Sequence, residues 1–525
     1  MARIEVYDTT LRDGAQAEGI NFSVEDKRRI LLLLDELGVA YVEGGWPNPA
    51  SPKDVEFFDL APHLPLRNAR LAAFGSTCRV GVAPEDDPQL AALLASNAPV
   101  ITIYGKSWGL HVEAVLCCTR DENLRLIEQS VAFLRAAGRE VIFDAEHFFD
   151  GWQDDPAYAL AALQAAERGR AHRIVLCDTN GGSLPAQVRE ATRAAREAVH
   201  TPLGIHTHND SGCAAANTLV AVEEGCDHVQ GTINGYGERC GNADLCVIVP
   251  NLELKLGRRC LPSRDALTQL RHVSRVVAET AMVEPDARQP YVGASAFAHK
   301  AGTHQDGISK TSRSFEHVPP ESVGNERRYL LSDQAGAAAV HRKLQRLFPQ
   351  LSKKSPEVRE VLARVKEMEN AGYEFETAEA SFELLAREVM GQRKRPFDVR
   401  RLTVLVKETA VDVEEVFAEA ALQLAINGDQ VSGVADGDGP VHALDNAVRQ
   451  AIAHRYPRLR DLRLTDFKVR VVSGREGTAA KVRVLITCTD GECSWTTVGA
   501  HENIIWASWK ALVDSYEYGL MAQPA

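Results

Sequence analysis

The chain has 525 residues, 45% hydrophobic and 25% charged, and its 72 acidic side chains outnumber 59 Lys and Arg for a net charge of −13. That balance argues against nucleic acid or anionic membrane as a partner. No apolar run reaches the roughly 18 residues of a membrane helix, the start enters a strand pattern without a signal peptide, and the eleven cysteines form no Cys-x-x-Cys. A cytoplasmic protein with reduced thiols is expected, Cys488 and Cys493 included.

In chain order, eight short apolar runs come first: Ile4–Thr9, Ala40–Gly44, Leu71–Gly75, Val100–Tyr104, Glu140–Asp144, Arg173–Cys177, Leu203–Thr207 and His228–Ile233. Helical periodicity fills the gaps. Ser23 and Asp26 form a capping box ahead of Ile30, Leu33, Leu34 and Leu37. Asp121–Ala137, Pro156–Arg168, Pro185–Val199 and Gly212–Glu224 carry the same pattern. Strand and helix alternating eight times predicts an α/β fold, a (β/α)8 TIM barrel rather than a doubly wound sheet.

The polar residues then gather at the carboxyl ends of the strands, where barrel enzymes place their sites. Asp13 follows the first strand in Arg12-Asp13-Gly14; Glu43 and Trp46 close the second; Lys106 follows the fourth; Glu146 and His147 follow the fifth. Asp178, Thr179 and Asn180 follow the sixth, and the stretch Asn234 to Asn242 follows the eighth. His206 and His208 end the seventh, and residues i and i+2 of a strand point the same way. Two imidazoles and the Asp13 carboxylate make a three-ligand metal site with open positions. Arg12 offers a planar fork for a substrate carboxylate.

From Tyr291 to Gln334 the sequence is loop-rich and contains Gly302-Thr303-His304-Gln305-Asp306-Gly307; Pro356–Met390 is helical, and Gly391–Pro396 reads as an exposed basic hinge. Two similar blocks follow. Ala420–Ile426 and Asp429–Ala435 lead through Gly437-Asp438-Gly439-Pro440 into a helix at Val441–Ile452, and Val469–Val472 and Lys481–Thr487 lead through Ser494–Gly499 into Asn503–Val513. Each is expected to be a β-β-α unit, so the block reads as an internal duplication. The turns Gly433–Pro440 and Thr496–Glu502 would bring backbone amides and helix N-termini together as a cradle for an amino-acid carboxylate. Ile504 and Ile505 could help line a slot for an apolar side chain, suited to isoleucine.

Four motifs carry a family resemblance. Asp8-Thr9-Thr10-Leu11-Arg12-Asp13-Gly14, His206-Thr207-His208-Asn209-Asp210, Gly235-Tyr236-Gly237-Glu238-Arg239-x-Gly241-Asn242 and the His304 motif resemble the isopropylmalate, homocitrate and citramalate synthases. The segments Glu43–Pro47, Asp144–Gly151 and Leu176–Gly182 sit closest to the pyruvate-using branch. The resemblance implies a condensation of acetyl-CoA with a 2-oxo acid, here pyruvate, on a divalent ion (Mn2+, Zn2+ or Mg2+), in a homodimer that isoleucine regulates. By the same resemblance Asp13, His206 and His208 hold the metal, with Asn242 completing the shell. Arg12 stabilises the developing oxyanion and the substrate carboxylate, Thr179 contacts that carboxylate, Glu146 stands beside the reacting carbons, and His304 reaches the barrel from the following subdomain. Phe315 stands where the family often has Tyr. The expected division is a barrel over 1–265, linker subdomains over 266–395, and a regulatory and dimerisation domain over 396–525, with Gly437, Asp438, Gly439, Pro440, Ile504 and Ile505 at the effector. Isopropylmalate or homocitrate synthesis is the alternative within the family, and a barrel lyase running a retro-aldol reaction is a more distant one within the fold.

Overall fold

The computed structural model describes residues 3–521 apart from 49, 331–336, 409–415, 473–476, 478 and 492, so the last four residues of the Tyr291–Gln334 stretch lie outside the described residues. The chain divides into two compact units, Met1–Phe297 with Glu316–Arg327, and Ala298–Phe315 with Arg328–Ala525.

In the first unit eight parallel strands close into a barrel: β1 (Glu5–Asp8), β2 (Tyr41–Gly45), β3 (Arg70–Ser76), β4 (Val100–Lys106), β5 (Glu140–Glu146), β6 (Arg173–Asp178), β7 (Leu203–Thr207) and β8 (His228–Gly231). β8 pairs back onto β1. Each expected strand is present, its ends shifted by at most two residues. Both faces of a parallel sheet are buried, so the strands carry apolar residues in both parities. Val6, Val42, Ile101, Val141 and Ile205 pack outward with the helices in one large core. Tyr7, Tyr41, Ala72, Val100, Ile142 and Val175 form a separate cluster. The first helix, Val24–Leu37, begins at the expected box: Ser23 accepts from the Asp26 amide while Asp26 accepts from the Ser23 amide.

The amino-terminal end of the barrel is closed by polar and aromatic side chains. His228 is fully buried against the rings of Tyr7 and Tyr41, with centroids 5.3 and 5.6 Å away. Gly204 makes the room, because a Cβ there would lie 2.8 Å from His228 Cδ2. Arg173 joins Glu5 and Asp227 across the same end.

In the second unit, β9 (Ala298–His299) pairs with β10 (Arg328–Tyr329), and Gly302–Lys310, Pro356–Asn370 and Glu379–Val389 are helices. Two antiparallel three-stranded sheets follow. β11 (Asp398–Glu408), β12 (Val416–Ile426) and β13 (Asp429–Gly437) precede the helix Pro440–Ile452; β14 (Arg463–Val471), β15 (Val482–Thr489) and β16 (Ser494–His501) precede the helix Ile504–Met521. The duplication is present, but each unit is β-β-β-α rather than β-β-α. The missed strands are legible in hindsight. β11 is an edge strand with Arg400 and Arg401 interrupting its apolar alternation, and β16 carries Ser494, Thr496, Thr497 and Gly499, which imitate a turn. Its glycine serves packing instead: a Cβ on Gly499 would lie 2.0 Å from Ala507 O, and one on Gly433 would lie 2.1 Å from Ala447 O. Each sheet therefore meets its helix backbone-to-backbone.

The cradle of turns is corrected accordingly, since Gly433–Gly437 belongs to β13 and Thr496–His501 to β16, leaving only Asp438–Gly439 and Glu502–Asn503 as connections. The basic hinge is exposed at Gly391, Gln392, Lys394 and Arg395 as expected, with one exception among its basic residues. Arg393 is pinned by Glu388, Asp514 and Glu517 at 2.7 to 2.9 Å, because a guanidinium can satisfy several carboxylates at once. All eleven cysteines are free thiols, and no helix among the described residues is long and apolar enough to cross a membrane.

Burial, offset in part by Glu5, brings His228 down from 6.5 to about 4. Its nearest Glu5 oxygen, at 3.8 Å, is too far for a hydrogen bond. Between those two pH values the unfolded chain takes up a proton that the native imidazole refuses, so this contribution to stability is lost as pH falls. The loss amounts to about 3 kcal/mol. Urea denaturation of metal-free protein at pH 7 and 4.5 should show a shallower pH dependence for His228→Phe than for wild type; equal slopes would refute the assignment.

Candidate metal centre and active site

The parity of β7 places His206 inward at the strand end, while Thr207 turns outward and its hydroxyl donates to Ala214 O at 3.0 Å. His208, one step beyond the strand, bridges to Asn242. One donor atom each from Asp13, His206 and His208 lies within 4.8 Å of the others, and all three residues are buried. His206 Nε2 is 3.2 Å from His208 Nε2 and 3.6 Å from Asp13 Oδ2. Donors about 2.1 Å from a shared ion stand about 3.0–3.4 Å apart at tetrahedral or octahedral angles. The cluster therefore fits a divalent cation.

Asn242 extends the donor set. Its Nδ2 donates to Asp13 Oδ1 and Tyr236 O, both at 3.1 Å, and its buried Oδ1 has no hydrogen-bond partner among the described residues. The loop that carries it needs two glycines: Gly237 at φ +155° and Gly241 at φ +86°, where a Cβ would lie 2.2 Å from Asn242 Nδ2 and 2.0 Å from Gly235 O.

Charge at the cluster suits a cation. Burial lowers both histidines, with the neighbouring His206 adding to the effect on His208 and bringing it to about 4. Burial works the other way on Asp13, but Arg12 and the two histidines outweigh it and hold the carboxyl near 2. At neutral pH the donors are thus two neutral imidazoles and one carboxylate.

Arg12 is fixed before any substrate arrives. Its Nε donates to Glu43 at 2.9 Å, its NH1 lies 3.2 Å from Asp13, and its guanidinium carbon sits 3.7 Å over the Phe74 ring. Burial opposes its charge, yet Glu43 and Asp13 raise its pKa. Arg12, Asp13, His206 and His208 face a cavity of about 220 Å³ that Trp46, Phe74, Tyr104, Glu146 and Thr179 also line. Glu146 pairs with Lys106, its partner in the β4–β5 register. Thr179 accepts the His147 amide at 2.9 Å on its hydroxyl oxygen, and its carbonyl accepts Arg239 at 2.7 Å. His147 itself sits at φ +56°, a conformation that costs a non-glycine residue about 1 kcal/mol.

The first unit therefore brings Arg12, Asp13, Glu146, Thr179, His206, His208 and Asn242 to one end of the barrel. His304 belongs to the second unit, exposed on the helix Gly302–Lys310, with its ring stacked on Phe315 at 4.2 Å. Gly437, Asp438, Gly439, Pro440, Ile504 and Ile505 are also in the second unit, at the amino ends of its last two helices. Two buried residues of the site, Asp144 and Gln230, were not among the expected ones, and Glu43, expected only as closing the second strand, anchors Arg12. Glu43 and Asp144 left a signal, an acidic residue at an inward parity of a strand. Gln230 left none.

The fold and site are those of an HMGL-like enzyme: that family's model matches residues 3–277. The homocitrate synthase post-HMGL domain-like model follows at 291–372, and the LeuA allosteric (dimerisation) domain at 376–520. The chain is 48% identical to an (R)-citramalate synthase of Geobacter sulfurreducens, over 99% of this chain and 98% of the relative. It is 47% identical to another of Aquifex aeolicus, again over 99% and 98%. A probable 2-isopropylmalate synthase of Methanopyrus kandleri is 31% identical over 97% of each chain. On this full-length likeness the chain belongs to the (R)-citramalate synthase family.

Replacing either histidine tests the cluster. His206→Ala or His208→Ala should lose bound metal and turnover while the circular dichroism of the metal-free barrel stays unchanged. Metal retained at the wild-type level through chelator treatment would remove that histidine from the site.

Proposed function

We propose that the chain condenses acetyl-CoA with pyruvate in a Claisen-type addition and then hydrolyses the thioester, releasing citramalate and CoA. It is thus an acyltransferase that converts the acyl group into an alkyl group on transfer. The observation that carries the choice of pyruvate is the full-length identity of 48% to an (R)-citramalate synthase against 31% to a probable 2-isopropylmalate synthase. The small cavity agrees with a small 2-oxo acid.

Asp13, His206 and His208, with Asn242 beside them, would hold a divalent ion (Mn2+, Zn2+ or Mg2+), which when bound would supply Lewis-acid polarisation of the 2-oxo group. The chain's own groups do the rest. Arg12 presents N–H donors to the pyruvate carboxylate and to the oxygen that becomes the alkoxide, and Glu43 and Phe74 hold it there, so little reorganisation opposes the step. Thr179 already accepts the His147 amide, which leaves its hydroxyl proton free for the carboxylate. Glu146 stands beside the reacting carbons with Lys106 balancing its charge. His304 is a further catalytic residue by the family resemblance alone. Assays of CoA release with pyruvate, 2-oxobutanoate, 2-oxoisovalerate and 2-oxoglutarate decide the substrate. Pyruvate should give the highest kcat/KM, and preference for 2-oxoisovalerate or 2-oxoglutarate would turn the reading to isopropylmalate or homocitrate synthesis.

The same reading makes the carboxyl-terminal domain, 396–525, the dimerisation and sensing part of a cytoplasmic homodimer that opens a route to 2-oxobutanoate and isoleucine. Support comes from a cavity of about 410 Å³ at the start of the helix Ile504–Met521, lined by Leu402, Val404, His501, Asn503, Ile505 and Trp506. Helix N–H groups there suit a carboxylate, and the aliphatic and indole walls suit a branched side chain. β11 supplies one wall, and none of Gly437, Asp438, Gly439 and Pro440 lines this cavity. Isoleucine should inhibit the intact chain, and Val404→Arg should raise its inhibition constant more than tenfold with kcat unchanged. No binding of isoleucine, leucine or lysine by calorimetry would leave dimerisation as the role of this domain.

A further inference from the structure

Asp144 and Gln230, buried beside His206, have no part in the steps above. Gln230 on β8 is the register partner of His206 on β7, and its side chain reaches β5. Its Oε1 lies 3.0 Å from His206 Nδ1, and its Nε2 donates to Asp144 Oδ1 at 3.1 Å. The direction of this amide decides the state of the imidazole. Turned round, it would face His206 with N–H groups and require the Nε2–H tautomer, whose proton points toward His208 and Asp13. With Asp144 accepting from Nε2, the amide oxygen faces Nδ1, the ring proton sits there, and the Nε2 lone pair is free for an ion. His208 has no such support, for its Nδ1 is buried without a hydrogen-bond partner among the described residues.

We propose that Gln230 is a positioning residue of the metal centre and Asp144 the group that orients its amide, so that His206 is the preset ligand and His208 the adaptable one. The inference rests on reading Asp13, His206 and His208 as a metal site. The register explains why the pair is within reach, and the 1% exposure of Gln230 explains why water cannot replace it.

The test is Zn2+ affinity of the full-length protein, measured by competition with a chromophoric chelator, alongside the Tm of the metal-free form. Gln230→Met keeps the volume and removes both hydrogen bonds; it should weaken binding by about 10–100-fold, the range typical of lost outer-shell partners. Gln230→Glu keeps an acceptor for His206 Nδ1–H and should restore affinity to within about threefold of wild type. A role in packing alone would instead lower the Tm of both variants and leave their affinities equal. Wild-type affinity in Gln230→Met overturns the inference. Should that variant fail to fold, Asp144→Asn serves, because its amide can also donate and so frees Gln230 to turn; unchanged affinity there overturns the proposal equally. Wild-type protein that binds no Zn2+ or Mn2+ would overturn the metal site itself, a separate outcome.

Discussion

A buried carboxylate balanced by a buried guanidinium underlies the carboxyl end of this barrel. Glu43, wholly enclosed, accepts hydrogen bonds from Tyr7, Thr9 and Arg12. An unpaired charge at that depth is prohibitive, and removing one partner of a buried pair leaves the other uncompensated at a loss of about 3–5 kcal/mol. The pair thereby ties β1, the Arg12 turn and β2 together. It also sets an order of charges, Glu43, Arg12, Asp13, that leads from the barrel interior to the histidines. The reactive end is held by electrostatic necessity as much as by packing.

From that anchor the two ends of the barrel diverge. At the amino end, inward positions carry Tyr7, Tyr41 and His228, and the glycine at 204 exists to admit an imidazole. At the carboxyl end, the same parities carry Phe74, Tyr104, Asp144 and His206 around open space. Stability thus resides below and chemistry above, as expected where loops and strand ends converge on one face. The raised Asp144 and lowered histidines follow from one cause, desolvation, acting on groups of opposite charge.

The second unit uses glycine for a different purpose. Gly433 and Gly499 each lie on the last strand of their sheet, and each lets a helix carbonyl come within contact of the strand. The strand Ser494–His501 imitates a turn in sequence because Ser494, Thr496, Thr497 and Gly499 make up half of it.

Much of this molecule is local information. Eight strands, the Ser23–Asp26 cap, and the inward pairing of His206 and His208 follow from short-range rules, because period-2 and period-3.6 patterns and capping geometry are properties of adjacent residues. Asp13 could be nominated as a ligand because it follows the first strand at the same end of the barrel as His206 and His208. Tertiary structure alone decided the rest. Gln230 meets His206 only because β7 and β8 pair in one register, and Asp144 meets Gln230 only because the barrel closes. Arg393 looks like part of a solvated hinge until Asp514 and Glu517, more than a hundred residues away, neutralise it. Such contacts depend on loop closure over long separations, and neither the spacing nor the character of neighbouring residues encodes which distant partner will arrive.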